Sequence, residues 1–181
     1  MLIKDTQACL LMVDMQERLL TAIHDAGALQ ARVGWLLDIA HRLEVPVLAS
    51  EQYPRGLGYT VAALRRRLDN TMLMEKTRFA CTAEPACEAR MRAGGRKQWV
   101  VVGAEAHVCV LQTALGLLGW GHEVYVVADA VGSRQPAERD LALARLRQEG
   151  VRVVSAEMVA FEWLYEAGTE RFREISREFL R

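Results

Sequence analysis

The chain has 181 residues, a formal net charge of zero at pH 7, and apolar residues at 51% of its positions. This composition is typical of a globular protein with a substantial core and excludes an intrinsically disordered chain. With zero net charge the chain has no overall field to attract nucleic acid or an anionic membrane, and no apolar run approaches the roughly 20 residues that a membrane span needs.

The N-terminal residues and the cysteines indicate a cytoplasmic protein. The sequence becomes polar at Lys4 and has no apolar signal-peptide core. The four cysteines form no Cys-x-x-Cys pair and no close cluster with histidine, which argues against a structural zinc site. We therefore expect free thiols in a reducing compartment.

Apolar strand-like segments alternate with helical patterns along the whole chain. In chain order, the predicted elements are a strand over 8–13, a helix over 28–43, a strand over 45–50, a short helix around 65–67, a strand over 71–75, a helix over 84–93, a strand over 98–102, a helix over 107–118, a strand over 123–128, a helix over 136–149, a strand over 151–154 and helical segments over 156–164 and 169–179.

Six strands separated by helices predict a three-layer, Rossmann-like α/β fold. Its sheet should be mostly parallel and six-stranded, with helices on both faces. No repeat, low-complexity segment or linker interrupts the pattern, so we expect a single domain over residues 1–181. In such sheets, ligands bind outside the carboxyl ends of the strands.

Three predicted strands lead directly to a reactive side chain. Asp14 ends the first strand, Lys76 ends the third, and Cys109 follows the fourth. A parallel sheet brings these ends to one edge, where an acid, an amine and a thiol can form a nucleophile with its activating partners. Lys76 stands out because the chain has only three lysines against 20 arginines, and a buried lysine shifts its pKa readily.

Each of these residues also has a plain structural interpretation. Cys109 lies in the first turn of a predicted helix, where the helix N-terminus should lower the thiol pKa and its N–H groups could hold an oxyanion. A cysteine between two valines is equally typical of a buried core position. Asp14 could be a helix cap, or could form a structural ion pair with Lys76.

Three segments of the chain resemble the isochorismatase-like cysteine hydrolases. They are Leu11–Gln16, Glu75–Phe79 and, most specifically, the Gly-x-Glu-x-His-Val-Cys-Val block Gly103–Val110. The superfamily includes isochorismatases, nicotinamidases and N-carbamoylsarcosine amidases, and the resemblance covers nearly the whole chain in order.

The resemblance implies a role for each residue at the predicted sheet edge. Asp14 would be the general base, Lys76 its cationic partner and Cys109 the nucleophile. A non-proline cis peptide would join Ala104 to Glu105, and the backbone N–H groups of Glu105 and Cys109 would form the oxyanion hole. The resemblance also implies a homo-oligomer.

A further segment, 50–58, resembles a subgroup of small hydrolases within this superfamily. Nicotinamidases carry an Asp-x-His zinc motif in this region, whereas none of the four histidines of this chain lies there. We therefore expect no metal and no cofactor. Gln16, Tyr53 and Phe79 are candidate pocket residues; ordinary packing is the alternative for the two aromatic side chains, and Gln16 could instead begin the next helix.

The predicted function is hydrolysis of a small amide or related C–N substrate through a thioester-type intermediate. Members of the superfamily that cleave a vinyl ether do so without an acyl-enzyme. Cleavage of a vinyl ether by this chain is therefore an open alternative to the thioester route. A non-catalytic binding or scaffold protein is one alternative, and a redox sensor in which Cys81 approaches Cys109 is another.

The expected partners are a small-molecule substrate and further copies of the chain, with neither nucleic acid nor membrane. The apolar C-terminal residues Phe161, Trp163, Leu164 and Phe172 would either form the oligomer contact or pack on their own chain.

Overall fold

The computed structural model describes residues 1–180, and its centre is a six-stranded parallel sheet. The strands are β1 (Ala8–Val13), β2 (Val47–Gln52), β3 (Leu73–Lys76), β4 (Gln98–Ala104), β5 (Glu123–Gly132) and β6 (Arg152–Val154). They are ordered β3-β2-β1-β4-β5-β6, and every neighbouring pair is parallel. The predicted α/β fold is confirmed, with a sheet that is wholly rather than mostly parallel.

Helices cover both faces of the sheet. They are α1 (Glu17–Leu20), α2 (Ala26–Arg42), α3 (Pro54–Leu57), α4 (Ala62–Arg65), α5 (Pro85–Ala93), α6 (Leu111–Gly119), α7 (Pro136–Gln148), α8 (Ala156–Leu164) and α9 (Glu170–Phe179). Buried residues of α2, α8 and α9 share one core cluster, and those of α5, α6 and α7 share the other. Among residues 1–180, none of the helices combines the length and the apolar composition needed to cross a bilayer.

The central strand β1 shows why the sheet edge is buried. All six of its residues are inaccessible or nearly so, because both faces of the strand are covered. Leu10 and Met12 contribute to the core on the α2 side, while Leu11 and Val13 contribute to the core on the α6 side. The residue that follows, Asp14, therefore leaves the strand inside the protein and is 0% exposed.

A close contact between β1 and β4 fixes the end of both strands. Gly103 has φ +114°, and a Cβ atom built on it would lie 2.1 Å from the carbonyl oxygen of Val13. Only glycine allows this approach. The contact lies directly before Asp14, whose own φ is +49° and whose N–H donates to the Ser50 carbonyl oxygen at 3.0 Å.

The C-terminal segment packs mainly on its own chain. Trp163 is 1% exposed and Leu164 is 7% exposed, and Phe172 packs against the same core as a partly buried side chain. Phe161 is 46% exposed, as an apolar residue on the outer face of α8. Of the four apolar residues predicted as contact or core, two are core residues, Phe172 packs against that core, and Phe161 remains accessible.

Candidate active site

The structure brings Asp14, Lys76 and Cys109 together at the carboxyl edge of the sheet. Lys76 Nζ donates to Asp14 Oδ2 at 2.7 Å, and both side chains are 0% exposed. The Cys109 thiol lies beside the same carboxyl group, close enough for the Asp14 charge to act on it. Cys109 is 6% exposed. One buried carboxyl group thus contacts both an amine and a thiol.

Burial dominates the electrostatics of Asp14. Loss of solvation raises the pKa of the Asp14 carboxyl group, and the charge and hydrogen bond of Lys76 oppose that rise only in part. Burial is the largest single influence on the pKa of Lys76 and would lower it, but the charge and hydrogen bond of Asp14, together with the nearby Cys81 and Cys109, outweigh it, so that the Lys76 pKa is raised. Lys76 therefore stays an ammonium ion, and Asp14 is a stronger base than an exposed aspartate.

The Cys109 thiol is held in its protonated form. Burial raises its pKa, the negative charge of Asp14 raises it further, and Lys76 opposes both effects. The lowered pKa predicted from a helix N-terminus is wrong, because the thiol is buried and faces a carboxylate. Cys109 also lies in a π-helical turn, Ala106–Val110, before the first residue of α6 rather than within that helix. A thiolate can form here when the proton passes to Asp14.

The turn before Cys109 is held by Glu105. The peptide bond between Ala104 and Glu105 is cis. The Glu105 carboxylate accepts two hydrogen bonds from Arg134, at 2.9 Å from Nε and 3.1 Å from Nη2. Its carbonyl oxygen accepts from the N–H groups of Val108 and Val110 at 3.1 and 3.2 Å. Side chain and carbonyl thus fix the loop that carries Cys109.

Two contacts of the central ion pair were not predicted from the sequence. Ser50 Oγ donates to Asp14 Oδ1 at 2.6 Å, and Gln52 Oε1 accepts from Lys76 Nζ at 2.6 Å. Both residues belong to the end of β2, which lies between β1 and β3. In the sequence, these two residues were marked only as the polar end of a buried strand. Their contact with the ion pair depends on the order of the strands in the sheet, which the sequence pattern did not provide.

Gln16 braces the neighbouring loop. Its Nε2 donates to the carbonyl oxygens of Gln52 and Gly58 at 2.9 and 2.7 Å, while its Oε1 accepts from the Gln52 N–H at 2.6 Å. The side chain is 0% exposed. Its amide is therefore occupied by backbone groups, and it lies behind the surface that a substrate would meet.

A cavity of about 360 Å³ opens beside this edge of the sheet. It is lined by Tyr53, Pro54, Arg55, Glu75, Lys76, Thr77 and Glu84. Of the described residues, its lining includes Lys76 and Tyr53 but neither Cys109 nor Phe79. Tyr53 and Phe79 are each 54% exposed, so neither is a packed core residue.

The cysteines and the side chains able to bind a metal were also located relative to the sheet edge. All four cysteines are free and buried. Cys81 lies near Asp14 and Lys76, so it does approach the site in the fold. Within residues 1–180, no three histidine, cysteine, aspartate or glutamate side chains gather closely enough to hold a metal ion.

The sequence is similar to known proteins over most of its length. Residues 8–158 match the family model described as the isochorismatase domain. Isochorismatase domain-containing protein 1 of Danio rerio is 38% identical over 165 residues, which cover 90% of this chain and 57% of that protein. The chain thus spans little more than half the length of that curated relative.

Solved structures are similar over the whole chain. MAR1 ribonuclease from Caenorhabditis elegans has a TM-score of 0.92 and 33% identity, covering 100% of this chain and 93% of that one. YcaC from Pseudomonas aeruginosa, with hexane-2,5-diol and covalent acrylamide, has a TM-score of 0.91 and 26% identity, covering 99% and 92%. YcaC from Escherichia coli, described as an octameric hydrolase of unknown specificity, has a TM-score of 0.87 and 25% identity, covering 91% and 83%.

Proposed function

The chain belongs to the isochorismatase family of hydrolases, and from that premise we propose that it is a cysteine hydrolase that acts on a small amide or related C–N substrate. Cys109 is the nucleophile, Asp14 the general base and Lys76 the cation that stabilises the charge of the pair. The observation that carries this proposal is the single buried Asp14 carboxyl group shared by the Lys76 ammonium and the Cys109 thiol.

The first half of the reaction forms a thioester. Asp14 accepts the thiol proton while the Cys109 sulfur attacks the substrate carbonyl carbon. The backbone N–H groups of Glu105 and Cys109 stabilise the resulting oxyanion. Asp14 then donates its proton to the leaving nitrogen, the C–N bond breaks, and the amine or ammonia departs.

The second half releases the acid. A water molecule gives a proton to Asp14 and adds to the thioester carbonyl carbon. The C–S bond breaks as the carboxylic acid forms, and the proton on Asp14 returns to the Cys109 sulfur. Asp14 thus ends each cycle ionised, with Lys76 still beside it.

The electrostatics of the resting site suit this proton transfer. Burial raises the pKa of Asp14, which makes it a better acceptor, and the Asp14 charge keeps the thiol protonated until substrate arrives. When the proton moves, the negative charge passes from carboxylate to sulfur, and Lys76 remains close to both. The covalent acrylamide in the Pseudomonas YcaC supports the presence of a reactive nucleophile in that protein, because acrylamide is captured at its vinyl carbon.

We also propose that the protein is cytoplasmic and that it forms a homo-oligomer. The four buried, unpaired cysteines are consistent with a reducing cytoplasm. The octameric state of E. coli YcaC supports a homo-oligomer.

The deciding experiment measures hydrolysis of small amides, carbamoyl compounds and isochorismate by the wild type and Cys109→Ala. We expect the variant to lose turnover by at least about a thousand-fold. Cys9→Ala is the matched control, because Cys9 is a buried thiol near the other end of β1, and it should keep turnover.

Each other result assigns a different function. Turnover that survives in Cys109→Ala would move the chemistry to Asp14 and to vinyl-ether cleavage. Absence of turnover in the wild type would favour a binding or scaffold protein. A reversible disulfide between Cys81 and Cys109 after peroxide treatment would favour a redox sensor.

A further inference from the structure

Ser50 is the third side chain that binds the Asp14 carboxyl group. Its hydroxyl donates to Oδ1 at 2.6 Å, whereas Lys76 binds Oδ2 at 2.7 Å. Ser50 is 0% exposed, so no water competes for this bond. Each oxygen of the carboxylate therefore has its own buried donor.

Ser50 also holds the backbone of Asp14. The two strands pair in register at Val13 and Ser50, and the Asp14 N–H donates to the Ser50 carbonyl oxygen at 3.0 Å. Asp14 has φ +49°, a backbone conformation that non-glycine residues seldom adopt. Because Ser50 binds both the main chain and the carboxylate, it fixes the direction in which Asp14 leaves β1.

The surroundings of Ser50 leave its hydroxyl proton directed toward Asp14. A serine hydroxyl has one proton to donate and can accept further hydrogen bonds. The Ser50 proton is donated to Asp14 Oδ1. Ser50 is thus a neutral donor to the ionised carboxylate, and it stabilises that form without adding charge to the site.

The titratable groups that interact with the Asp14 charge come from several elements. They are Lys76 on β3, Cys81 in the turn before α5, Cys87 on α5 and Cys109 in the π turn. Burial raises the pKa of Asp14, and the hydrogen bonds from Lys76, Ser50 and Cys109 lower it. Lys76 acts on both the base and the Cys109 thiol, whereas the hydrogen bond of Ser50 is to the base.

We propose that Ser50 is a positioning residue that orients the Asp14 carboxylate and tunes the proton transfer from Cys109 to Asp14. The inference rests on the proposed function, in which Asp14 is the base. It adds a residue of β2 to the machinery and assigns the strand between β1 and β3 a part in catalysis.

The test follows the rate at which iodoacetamide alkylates Cys109 as a function of pH, read by peptide mass on the full chain. This readout needs no substrate. In the wild type the rate should be nearly level while Asp14 is ionised and should break into an acid limb at the Asp14 pKa, whereas Asp14→Asn should lose that break and fall about tenfold per pH unit, as an unassisted thiol does. Ser50→Ala should move the limb upward by about one pH unit, because a lost hydrogen bond to a charged group weakens the ionised form.

Thr113→Val is the matched control. Thr113 Oγ1 is buried and accepts from the Cys81 N–H at 3.0 Å, so this change also removes a hydroxyl beside Cys81, but not one that binds Asp14. Its acid limb should stay within a few tenths of a pH unit of the wild type. Ser50→Thr keeps a hydroxyl and should return the limb to the wild-type position.

The outcomes separate the inference from the function on which it rests. An unshifted limb in Ser50→Ala, with the break abolished in Asp14→Asn, would overturn the role of Ser50 alone. An equal shift in Thr113→Val would also overturn it, because the effect would then follow from any lost buried hydroxyl. A level region with the same break in Asp14→Asn would instead overturn the assignment of Asp14 as base. Thermal unfolding of each variant confirms that a folded protein is being compared.

Discussion

The chemistry of the site depends on one carboxyl group with three side-chain partners. Asp14 binds Lys76 and Ser50 and lies beside Cys109 while being fully buried. A carboxylate in such a place is stable only if its charge is compensated, and lysine supplies that charge as a compact ammonium ion. Lys76 fits between Asp14 Oδ2 and Gln52 Oε1 with N···O distances of 2.7 and 2.6 Å.

Removing the Lys76 charge should destabilise the protein in a pH-dependent way. Lys76→Met leaves a buried carboxylate without its cation, which costs about 3 to 5 kcal/mol of unfolding free energy when Asp14 is ionised. The Asp14 pKa of the folded variant then rises further above its unfolded value, so the native state binds the extra proton. The loss should therefore be largest at pH 8 and smaller at pH 5 in urea unfolding.

Lys97→Met is the control for this prediction. Lys97 is exposed and lies before β4, so its replacement should change stability by less than about 0.5 kcal/mol at either pH. An equal loss at pH 5 and pH 8 in Lys76→Met would contradict the coupling between Lys76 and the protonation of Asp14.

The raised pKa of Asp14 should appear in the pH dependence of hydrolysis. Asp14 must be ionised to accept the thiol proton, so kcat/KM should fall as the pH drops through the Asp14 pKa. Since burial raises that pKa, the midpoint should lie above about 4, the ordinary value for aspartate. Asp140→Asn, a change at an exposed carboxylate on α7, should leave the midpoint in place. A midpoint at or below 4 would count against Asp14 as the base.

The strands and turns position these residues to within a hydrogen-bond length. β1, β2 and β3 end side by side, and their last residues supply Asp14, Ser50, Gln52 and Lys76. β4 reaches the same edge through Gly103, which passes directly over the carbonyl of Val13. A small change in that crossing would move the turn that carries Cys109 relative to Asp14.

Gly103→Ala should therefore damage both stability and activity. The added Cβ would meet the Val13 carbonyl oxygen at 2.1 Å, and φ +114° is strained for alanine. We expect a loss of about 3 kcal/mol or more in unfolding free energy, from strain and overpacking together. Gly119→Ala is the matched control, because nothing lies within 4 Å of a Cβ there and alanine favours the helix; it should be neutral or slightly stabilising. Equal unfolding midpoints for the two variants would contradict this account.

Much of the fold and part of the site could be predicted at this scale. The long elements followed from hydrophobic periodicity, and the shared edge of a parallel sheet was enough to bring Asp14, Lys76 and Cys109 together. The four-residue helices α1 and α3 were missed because they are too short to show a period. The helix predicted over 107–118 divides into a π turn and α6, since one wide turn leaves no distinct sequence pattern.

The rest of the site depends on contacts distant in sequence. Ser50 and Gln52 became relevant only once β2 was known to lie between β1 and β3. The raised pKa of Cys109 follows from how deeply the thiol is buried and from the charge it faces. Neither property can be predicted from the residues next to Cys109 in the sequence. The roles of Asp14, Lys76, Cys109 and Glu105 in catalysis, and a single domain over residues 1–181, stay predictions.

Within residues 1–180, helix α8 presents accessible apolar side chains. Met158, Phe161 and Tyr165 are spaced three and four residues apart along and just beyond α8, and they are 50%, 46% and 81% exposed. Residues at this spacing lie on the same side of a helix. Such a face is typical of a contact between protein chains.

We expect light scattering to give the mass of an oligomer, that is, at least twice the 20.3 kDa of a single chain. Phe161→Arg should lower that mass, since a charge would have to be buried at the contact. Leu141→Arg introduces the same charge at a 67% exposed residue of α7 and should leave the mass unchanged. A wild-type mass of 20.3 kDa would contradict assembly, and an unchanged mass in Phe161→Arg would place the contact elsewhere.

The distribution of lysine determines how amine-reactive reagents meet this protein. Of its three lysines, Lys76 has a fully buried side chain, while Lys4 and Lys97 are exposed and lie just before β1 and β4. Both accessible ammonium groups are therefore at the amino end of the sheet, on the opposite side from Asp14. Coupling through lysine to a dye, a bead or a sensor surface would leave the carboxyl edge facing the solution, so the attached protein could be assayed for substrate without masking the site.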